Sequence, residues 1–217
     1  MKTAAALLAA ASVLTLAGAA FAQPAAPEPV GKGRLIVTAR MTGVLPQADD
    51  AILTAAGADS GLRVDVSDDW MPTLGFTYFV ADHWAVEAIL GATRHEVRAK
   101  GGATDVAVHE TWVLPPIVTL QYRPTPNATI SPYVGAGVSY MAFFDGQDKN
   151  GFEVDLDDGF GMALQAGADW NLSGPWTLNL DAKKVWFDTD ARINNGALKS
   201  SVSLDPWVVS LGFGRKF

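Results

Sequence analysis

The feature that most constrains the fold is a run of eight segments in which apolar and polar side chains alternate. In the segment that starts at Thr73, for example, Leu74, Phe76 and Tyr78 alternate with threonine and glycine. A period of two is typical of a β-strand with one apolar and one polar face. The segments span residues 34–41, 73–80, 84–93, 110–123, 131–144, 160–170, 176–184 and 205–217. The sequence therefore predicts an all-β protein.

The connections between these segments alternate in length. Short turns at residues 81–83, 124–130 and 171–175 alternate with long polar loops at residues 46–69, 94–109, 145–158 and 188–203. This is the layout of an outer-membrane barrel with its turns in the periplasm, and aromatic residues near both ends of the segments match its two aromatic girdles. A soluble β-sandwich has similar strands but does not require such girdles. We predict an eight-stranded antiparallel transmembrane β-barrel.

The N-terminus predicts export. Residues 1–22 combine Lys2, an apolar centre and a small-residue cleavage site, as a secretory signal does. A retained helical anchor is disfavoured because the apolar centre is shorter than the ~20 residues that a spanning helix needs. The proline-rich residues 23–32 predict a flexible periplasmic lead-in, and residues 33–217 the barrel. The expected location is the outer membrane of a Gram-negative cell.

Charge and composition narrow the functional classes. The net charge of −7 argues against a nucleic-acid partner, and the absence of cysteine excludes disulfides and thiolate metal sites. The acidic loop at residues 145–158 does not fit the spacing of a calcium loop, because Gly146 would occupy the first ligand position when Gly151 is aligned. We therefore expect neither a cofactor nor a metal site.

Two consecutive prolines interrupt the fourth segment. Pro115 and Pro116 cannot donate a backbone hydrogen bond to a neighbouring strand, so pairing with the third or the fifth segment should fail there. An unpaired backbone in hydrocarbon must be covered by protein or line a cavity. The prolines therefore predict either a side opening in the barrel or a bend or bulge in its wall.

The polar faces of the segments predict a filled interior. A barrel of eight strands holds side chains and at most a small ligand, so an open pore is not expected. Charges of both signs are predicted inside, where they would form a hydrogen-bonded plug. The predicted plug consists of Arg34, Arg40, Glu87, Gln121, Gln165, Asp181 and Lys183.

Four stretches carry a family resemblance: "TYFVADHWAVEAIL" (residues 77–90), "LPPIVTLQY" (114–122), "PYVGAGVSYMAFFD" (132–145) and "LDPWVVSLGFGRKF" (204–217). The sequence resembles the outer-membrane protein W family of small eight-stranded barrels. The resemblance implies that small hydrophobic molecules pass from an outer hydrophobic pocket sideways into the membrane. The terminal Phe217 also resembles the signal that the outer-membrane assembly machinery recognises in its clients, although it could be only a girdle aromatic.

Inward apolar positions near the double proline are candidates for the lining of this pocket. Beside Pro115, they are Val113, Ile117, Met141 and Phe143. The partners expected for the chain are outer-membrane lipid, lipopolysaccharide, the assembly machinery and small hydrophobic molecules.

Two other functions compete with transport. A hydrolase would need a nucleophile beside an oriented histidine. His83, His95 and His109 lie in or beside turns and loops, so we expect no enzyme. A structural or receptor barrel whose long loops bind partners remains the alternative to transport.

Overall fold

The computed structural model describes residues 25–217, and the predicted signal sequence lies outside the described residues. Fifteen strands occur in this part of the chain: β1 (Leu35–Leu45), β2 (Ala51–Thr54), β3 (Asp59–Val66), β4 (Asp69–Ala81), β5 (Trp84–Leu90), β6 (Thr93–Gly101), β7 (Thr104–Leu114), β8 (Ile117–Tyr122), β9 (Ile130–Asp148), β10 (Val154–Leu156), β11 (Gly159–Asn171), β12 (Trp176–Trp186), β13 (Asp188–Ile193), β14 (Leu198–Ser203) and β15 (Trp207–Lys216). Within these residues, no helix is long and apolar enough to cross a bilayer.

Eight strands close the barrel wall. In order around the ring they are β1, β4, β5, β8, β9, β11, β12 and β15, with every neighbour antiparallel. Leu74, Val118 and Leu164 are exposed on the outside of the wall, while Glu87 and Lys183 are completely buried inside. An apolar exterior around a polar interior is the arrangement that a lipid environment favours.

Aromatic side chains ring the wall at both ends. Tyr78, Trp84, Tyr122, Trp170, Trp176 and Phe217 are exposed near the periplasmic turns, and Trp70, Phe144, Trp186 and Trp207 near the outer end. Tyr133 and Phe143 also lie near the two girdles along the chain, but both belong to the inward face of their segment and point into the barrel. Tyr133 is 2% exposed, and Phe143 packs against the apolar core. Their inward direction follows from the period of two along β9.

The long connections are not irregular loops. The wall is continued outward by a set of paired strands, called here the outer extension: β10, β13, β14, β2, β3, β6, β7 and the outer half of β9. It has its own apolar core, in which Ile52, Val64, Val108 and Val202 are buried. The expectation of polar loops was incomplete, because these segments form paired strands whose buried face mixes apolar residues such as Val202 with polar ones such as Ser200.

The described part of the lead-in contacts the barrel. Val30 is buried against Ile36, Phe79 and Ala85 at the periplasmic end of the barrel. Asn127 accepts a hydrogen bond from the Val30 N–H at 2.7 Å and donates one to the Val30 carbonyl at 3.0 Å. Val30 therefore connects the lead-in to the barrel, and the flexibility of residues 23–32 stays a prediction.

Candidate functional site

The wall is interrupted where two strand breaks lie side by side. Gly91 and Ala92 separate β5 from β6, and Pro115 and Pro116 separate β7 from β8. Ile89 pairs with Ile117 below the break, and Thr93 pairs with Val113 above it. The same register therefore continues across the break, which places Gly91 opposite Pro115 without a strand ladder between them.

The two prolines affect different neighbours. The Pro116 carbonyl accepts a hydrogen bond from the Tyr140 N–H at 3.1 Å, so the backbone polar groups of Pro116 face β9. The backbone polar groups of successive residues in a strand point to opposite neighbouring strands. The backbone polar groups of Pro115 therefore face Gly91. Pairing with β9 keeps one register through the break. The gap therefore lies between the third and fourth wall segments and not between the fourth and fifth.

A third proline flanks the same gap from the other side. Leu74 pairs with Leu90, and continuing that register places Pro72 opposite Ala92. Because Gly91 faces β8, Ala92 must face β4, where proline again supplies no N–H. The strand break at Gly91 and Ala92 thus has a proline opposite it on each side.

An apolar cavity lies inside the wall at this level. Its volume is about 50 Å³, which exceeds the space that one water molecule needs. A neighbouring cavity of about 20 Å³ shares Pro115 with it and reaches Gly91 at the gap. The main cavity is lined by Val44, Pro46, Val64, Val66, Thr93, His95, Val97, Thr111, Val113, Pro115, Ile117, Met141, Phe143, Leu156, Thr189, Val202, Leu204, Pro206 and Val208.

The structure brings the sequence-predicted lining residues together. Val113, Ile117, Met141 and Phe143 all contact this one cavity, together with Pro115. Pro116 does not line it, in keeping with its outward position. The residues from the outer extension, such as Val64, Leu156 and Val202, close the cavity from outside and were not foreseen, because they lie in segments interpreted as loops.

His95 is the ionisable residue in this lining. It lies on β6 beyond the hydrocarbon region, because the outward face of the strand becomes charged from Arg94 onward. Its Nδ1 donates a hydrogen bond to the Ser67 carbonyl at 2.6 Å. Burial holds the pKa of His95 below its ordinary value, against the opposing effects of the Ser67 carbonyl, Asp69 and Asp68. The neutral ring is therefore favoured.

The other two histidines lie elsewhere. His83 Nδ1 is 2.9 Å from the Arg123 carbonyl in a periplasmic turn, and His109 Nδ1 is 2.9 Å from Asp148 Oδ1 in the outer extension. They are therefore not parts of one catalytic arrangement with His95.

A hydrogen-bonded hydroxyl layer closes the inner side of the cavity. Thr42 Oγ1 lies 2.7 Å from Thr73 Oγ1 and 2.9 Å from Ser210 Oγ. Thr42 and Thr73 also line the smaller cavity beside Gly91. These hydroxyl groups therefore form the boundary between the apolar cavity and the polar interior of the barrel.

Below this layer the barrel is filled by an ion-pair network. Arg40 Nη2 is 2.7 Å from Glu87 Oε2, and Lys183 Nζ is 3.0 Å from Glu87 Oε1. Lys183 also pairs with Asp181, whose Oδ2 accepts a hydrogen bond from the Tyr133 hydroxyl at 2.8 Å. Each of these side chains is almost fully buried, so the network blocks a straight aqueous path.

Most predicted plug residues belong to this network. Gln165 connects Glu87 to Gln121. Its Nε2 donates to Glu87 Oε1 at 2.9 Å, and its Oε1 lies 3.2 Å from Gln121 Nε2. Arg34 lies apart. It precedes β1 and pairs at 3.2 Å with Glu28 of the lead-in, where its side chain is 41% exposed.

The interior contains further members that were not singled out. Arg123 pairs with Asp169 and donates to Gln121 Oε1, and Asn179 contacts both Arg40 and Asp169. Their inward position in the period of two was the signal that could have found them. The network then holds three cations, Arg40, Arg123 and Lys183, and three carboxylates, Glu87, Asp169 and Asp181. Its charges balance.

The chain end completes the ring. The backbones of Phe217 and Leu35 exchange hydrogen bonds of 2.8 and 3.1 Å, and the Phe217 side chain is 53% exposed on the outside. Arg215 lies over the rings of Trp176 and Phe217 at 5.6 and 5.0 Å, so its charge is accommodated at the periplasmic girdle.

A closed wall with an apolar exterior, two aromatic girdles and a charged, filled interior is that of an outer-membrane β-barrel. The chain matches the OmpW family over residues 31–217 and belongs to it. The predicted family, fold class and outer-membrane location are thereby confirmed.

Two relatives and one solved structure illustrate the similarity. The chain is 35% identical to the uncharacterized outer-membrane protein y4mB of Sinorhizobium fredii, over 83% of this chain and 79% of that protein. It is 30% identical to the dibenzothiophene metabolism operon protein PahQ of Pseudomonas aeruginosa, over 82% and 85% of the two chains. The crystal structure of the outer membrane protein OprG from Pseudomonas aeruginosa has 32% identity and a TM-score of 0.81, covering 87% of this chain and 98% of that one.

Proposed function

We propose that the barrel passes small apolar molecules from the outer cavity through the gap beside Pro115 into the membrane. The observation that carries this proposal is the position of one residue. Pro115 lines the apolar cavity and also faces Gly91, where the wall lacks a strand ladder. A molecule leaving the cavity at this level would enter the hydrocarbon layer directly.

The barrel interior makes a straight route unfavourable. A molecule moving toward the periplasm would have to separate the buried pairs of Glu87 with Arg40 and Lys183. Removing one partner from a buried ion pair costs several kcal/mol, roughly 3–5. The sideways route through the apolar region needs no such separation, which supports lateral exit.

One relative's name agrees with a role in hydrophobic chemistry. PahQ is described as a dibenzothiophene metabolism operon protein, and dibenzothiophene is an apolar aromatic compound. By similarity, we take compact apolar molecules as the cargo class of this chain. Met141 in the cavity lining has a flexible side chain, which would let the cavity adapt to molecules of different shape.

The partners at the barrel surface are part of the same proposal. The exposed aromatic girdles and apolar wall contact lipid, and the exposed Phe217 at the chain end is available to the outer-membrane assembly machinery. At the outer end, the acidic residues of segment 145–158 would contact lipopolysaccharide through divalent ions.

The experiment compares two adjacent prolines. The chain is expressed in the outer membrane of cells that lack other OmpW-family proteins, and uptake of naphthalene is followed by its fluorescence, with glucose as the polar probe. Pro115→Val supplies an N–H that faces Gly91, so it should close the gap and slow naphthalene uptake. Pro116→Val is the matched control, because its new N–H faces β9, where the register is already continuous.

Each outcome decides between two functions. Faster naphthalene uptake with the wild type, lost in Pro115→Val and kept in Pro116→Val, would support lateral exit. Equal uptake with and without the wild-type barrel would contradict transport and leave the outer extension as the functional surface. Faster uptake that both proline variants retain would contradict the gap as the exit.

A further inference from the structure

The polar groups in the cavity lining differ in what they offer a ligand. Four polar side chains line the cavity among residues 25–217: Thr93, His95, Thr111 and Thr189. A hydrogen-bond donor and an acceptor on a ligand would each need a complementary group there. The hydrogen bonds already made by these four side chains therefore decide which ligands fit.

The donors of the lining are already engaged. Thr111 donates to the carbonyls of Trp112 and Phe144, each at 3.2 Å. Thr189 donates to the Asp157 carbonyl at 2.8 Å, and Thr93 to the Val113 carbonyl at 3.4 Å. Prolines at positions 46, 115 and 206 of the lining have no N–H to offer.

The His95 ring is held in one tautomer. A carbonyl oxygen can only accept, so the 2.6 Å contact with Ser67 requires the proton on Nδ1. In the neutral ring Nε2 then carries a lone pair and is an acceptor. Ser67 is the hydrogen-bond partner of Nδ1, which leaves Nε2 as the ring nitrogen that can meet a ligand in the cavity that His95 lines.

From this arrangement we infer that the cavity selects apolar molecules that carry one hydroxyl group, with His95 Nε2 accepting the hydrogen bond from that hydroxyl. The ligand class is therefore small phenols and alcohols. A ketone or an ether of similar size brings only an acceptor, which would be buried beside other acceptors without a partner. A hydrocarbon would fill the cavity but leave Nε2 unpaired.

This inference rests on the proposed function, because it assigns a specificity to the same cavity. It also makes His95 a binding residue and not only a buried structural one. A structural role would need only the Nδ1 contact with Ser67, whereas ligand selection needs Nε2.

The test measures binding of three small probes to the barrel in lipid nanodiscs, with empty nanodiscs as the correction for partition into lipid. Phenol carries the hydroxyl, methoxybenzene replaces its proton by a methyl group, and toluene has no polar atom. One neutral hydrogen bond corresponds to roughly a three- to tenfold difference in affinity. We expect phenol to bind the wild type more tightly than methoxybenzene by this factor.

Two histidine variants test whether His95 causes the preference for phenol over methoxybenzene. His95→Phe keeps an aromatic ring but removes the acceptor, so phenol and methoxybenzene should then bind equally. His109→Phe is the matched control, since His109 is also 5% exposed but lies outside the cavity lining. It should keep the preference, and toluene should bind all three proteins.

The outcomes distinguish a failure of this inference from a failure of the proposed transport function. If all three probes bind the wild type with equal affinity, the inferred hydroxyl selectivity is wrong, but the cavity is still a binding site for small apolar molecules. If no probe binds the wild type, the proposed function fails together with the inference. A preference that persists in His95→Phe would assign it to the threonines and overturn the role of His95.

A second measurement needs no substitution. The NMR chemical shift of the His95 Nε2 nitrogen in the wild type should change when phenol is added and remain unchanged with methoxybenzene. An equal response to both probes would contradict a hydrogen bond at Nε2 even if His95→Phe failed to fold.

Discussion

Arg40 Nη2 lies 2.7 Å from Glu87 Oε2 at the centre of the barrel, and Lys183 Nζ approaches the other oxygen of the same carboxylate at 3.0 Å. Their side chains are 0–1% exposed. One carboxylate therefore pairs with two buried cations. The stability of the interior should depend on it more than on any surface pair.

Glu87→Gln should destabilise the barrel strongly. The substitution keeps the shape but leaves Arg40 and Lys183 without their shared charge, and breaking a buried pair in this way costs roughly 3–5 kcal/mol. The free energy of unfolding in urea, measured with the barrel in lipid vesicles, tests this. Glu28→Gln is the control, because the pair of Glu28 with Arg34 is exposed and should change stability little. Equal losses in the two variants would contradict the importance of the central pair.

Asn127→Ala should release the lead-in without unfolding the barrel. Asn127 holds both backbone groups of Val30, so their loss should free residues 28–32 from the periplasmic turns. Hydrogen exchange of the Val30 amide should become faster, while exchange within β9 stays slow. Thr125→Ala, in the same turn, is the control. Unchanged protection of Val30 in Asn127→Ala would show that burial of its side chain alone holds the segment.

The wall could be predicted from sequence because a lipid-facing strand shows its alternation of apolar and polar residues within a few consecutive positions. In β4 every second residue from Leu74 to Val80 is apolar and outward, and each of the eight segments repeats that pattern. The parity that places Leu74 outside also places Thr73 and Thr77 inside. Lining residues such as Val113 and Met141 follow from the same rule.

The outer extension could not be predicted in the same way. Its strands pair over long sequence distances, as Leu198 does with Thr54, and their composition is polar enough to suggest loops. His95 lies in one of these segments, so the sequence did not predict that it lines the cavity. Arg34 shows a second limit, because it pairs with Glu28 of the lead-in at the periplasmic end of the barrel and not with the interior network.

Gly137→Ala should push two wall strands apart. Gly137 on β9 pairs with Thr119 on β8, and a Cβ at this position would lie 1.9 Å from the Val118 carbonyl oxygen. Overpacking against rigid backbone costs roughly 1–3 kcal/mol, which urea unfolding should detect. Ser139→Ala is the control on the same inward face, since its buried hydroxyl has no hydrogen-bond partner among the described residues. Wild-type stability in Gly137→Ala would contradict this close approach of the strands.

The stability of the outer extension should fall in mild acid because of His95. Burial holds the pKa of His95 below its ordinary value, so the unfolded chain binds a proton more readily than the folded one. The stabilisation from the neutral ring is complete above the unfolded pKa of about 6.5 and is lost as the pH falls below it toward the folded pKa.

Unfolding in urea across this pH range measures the effect. The free energy of unfolding should decrease by at most about 1.4 kcal/mol per pH unit for the one proton. His95→Gln cannot take up that proton, and its amide can still donate to the Ser67 carbonyl. The wild type should therefore lose more stability than the variant between neutral and acid pH. Parallel pH profiles would show that the His95 ring accepts a proton as easily in the folded barrel as in the unfolded chain.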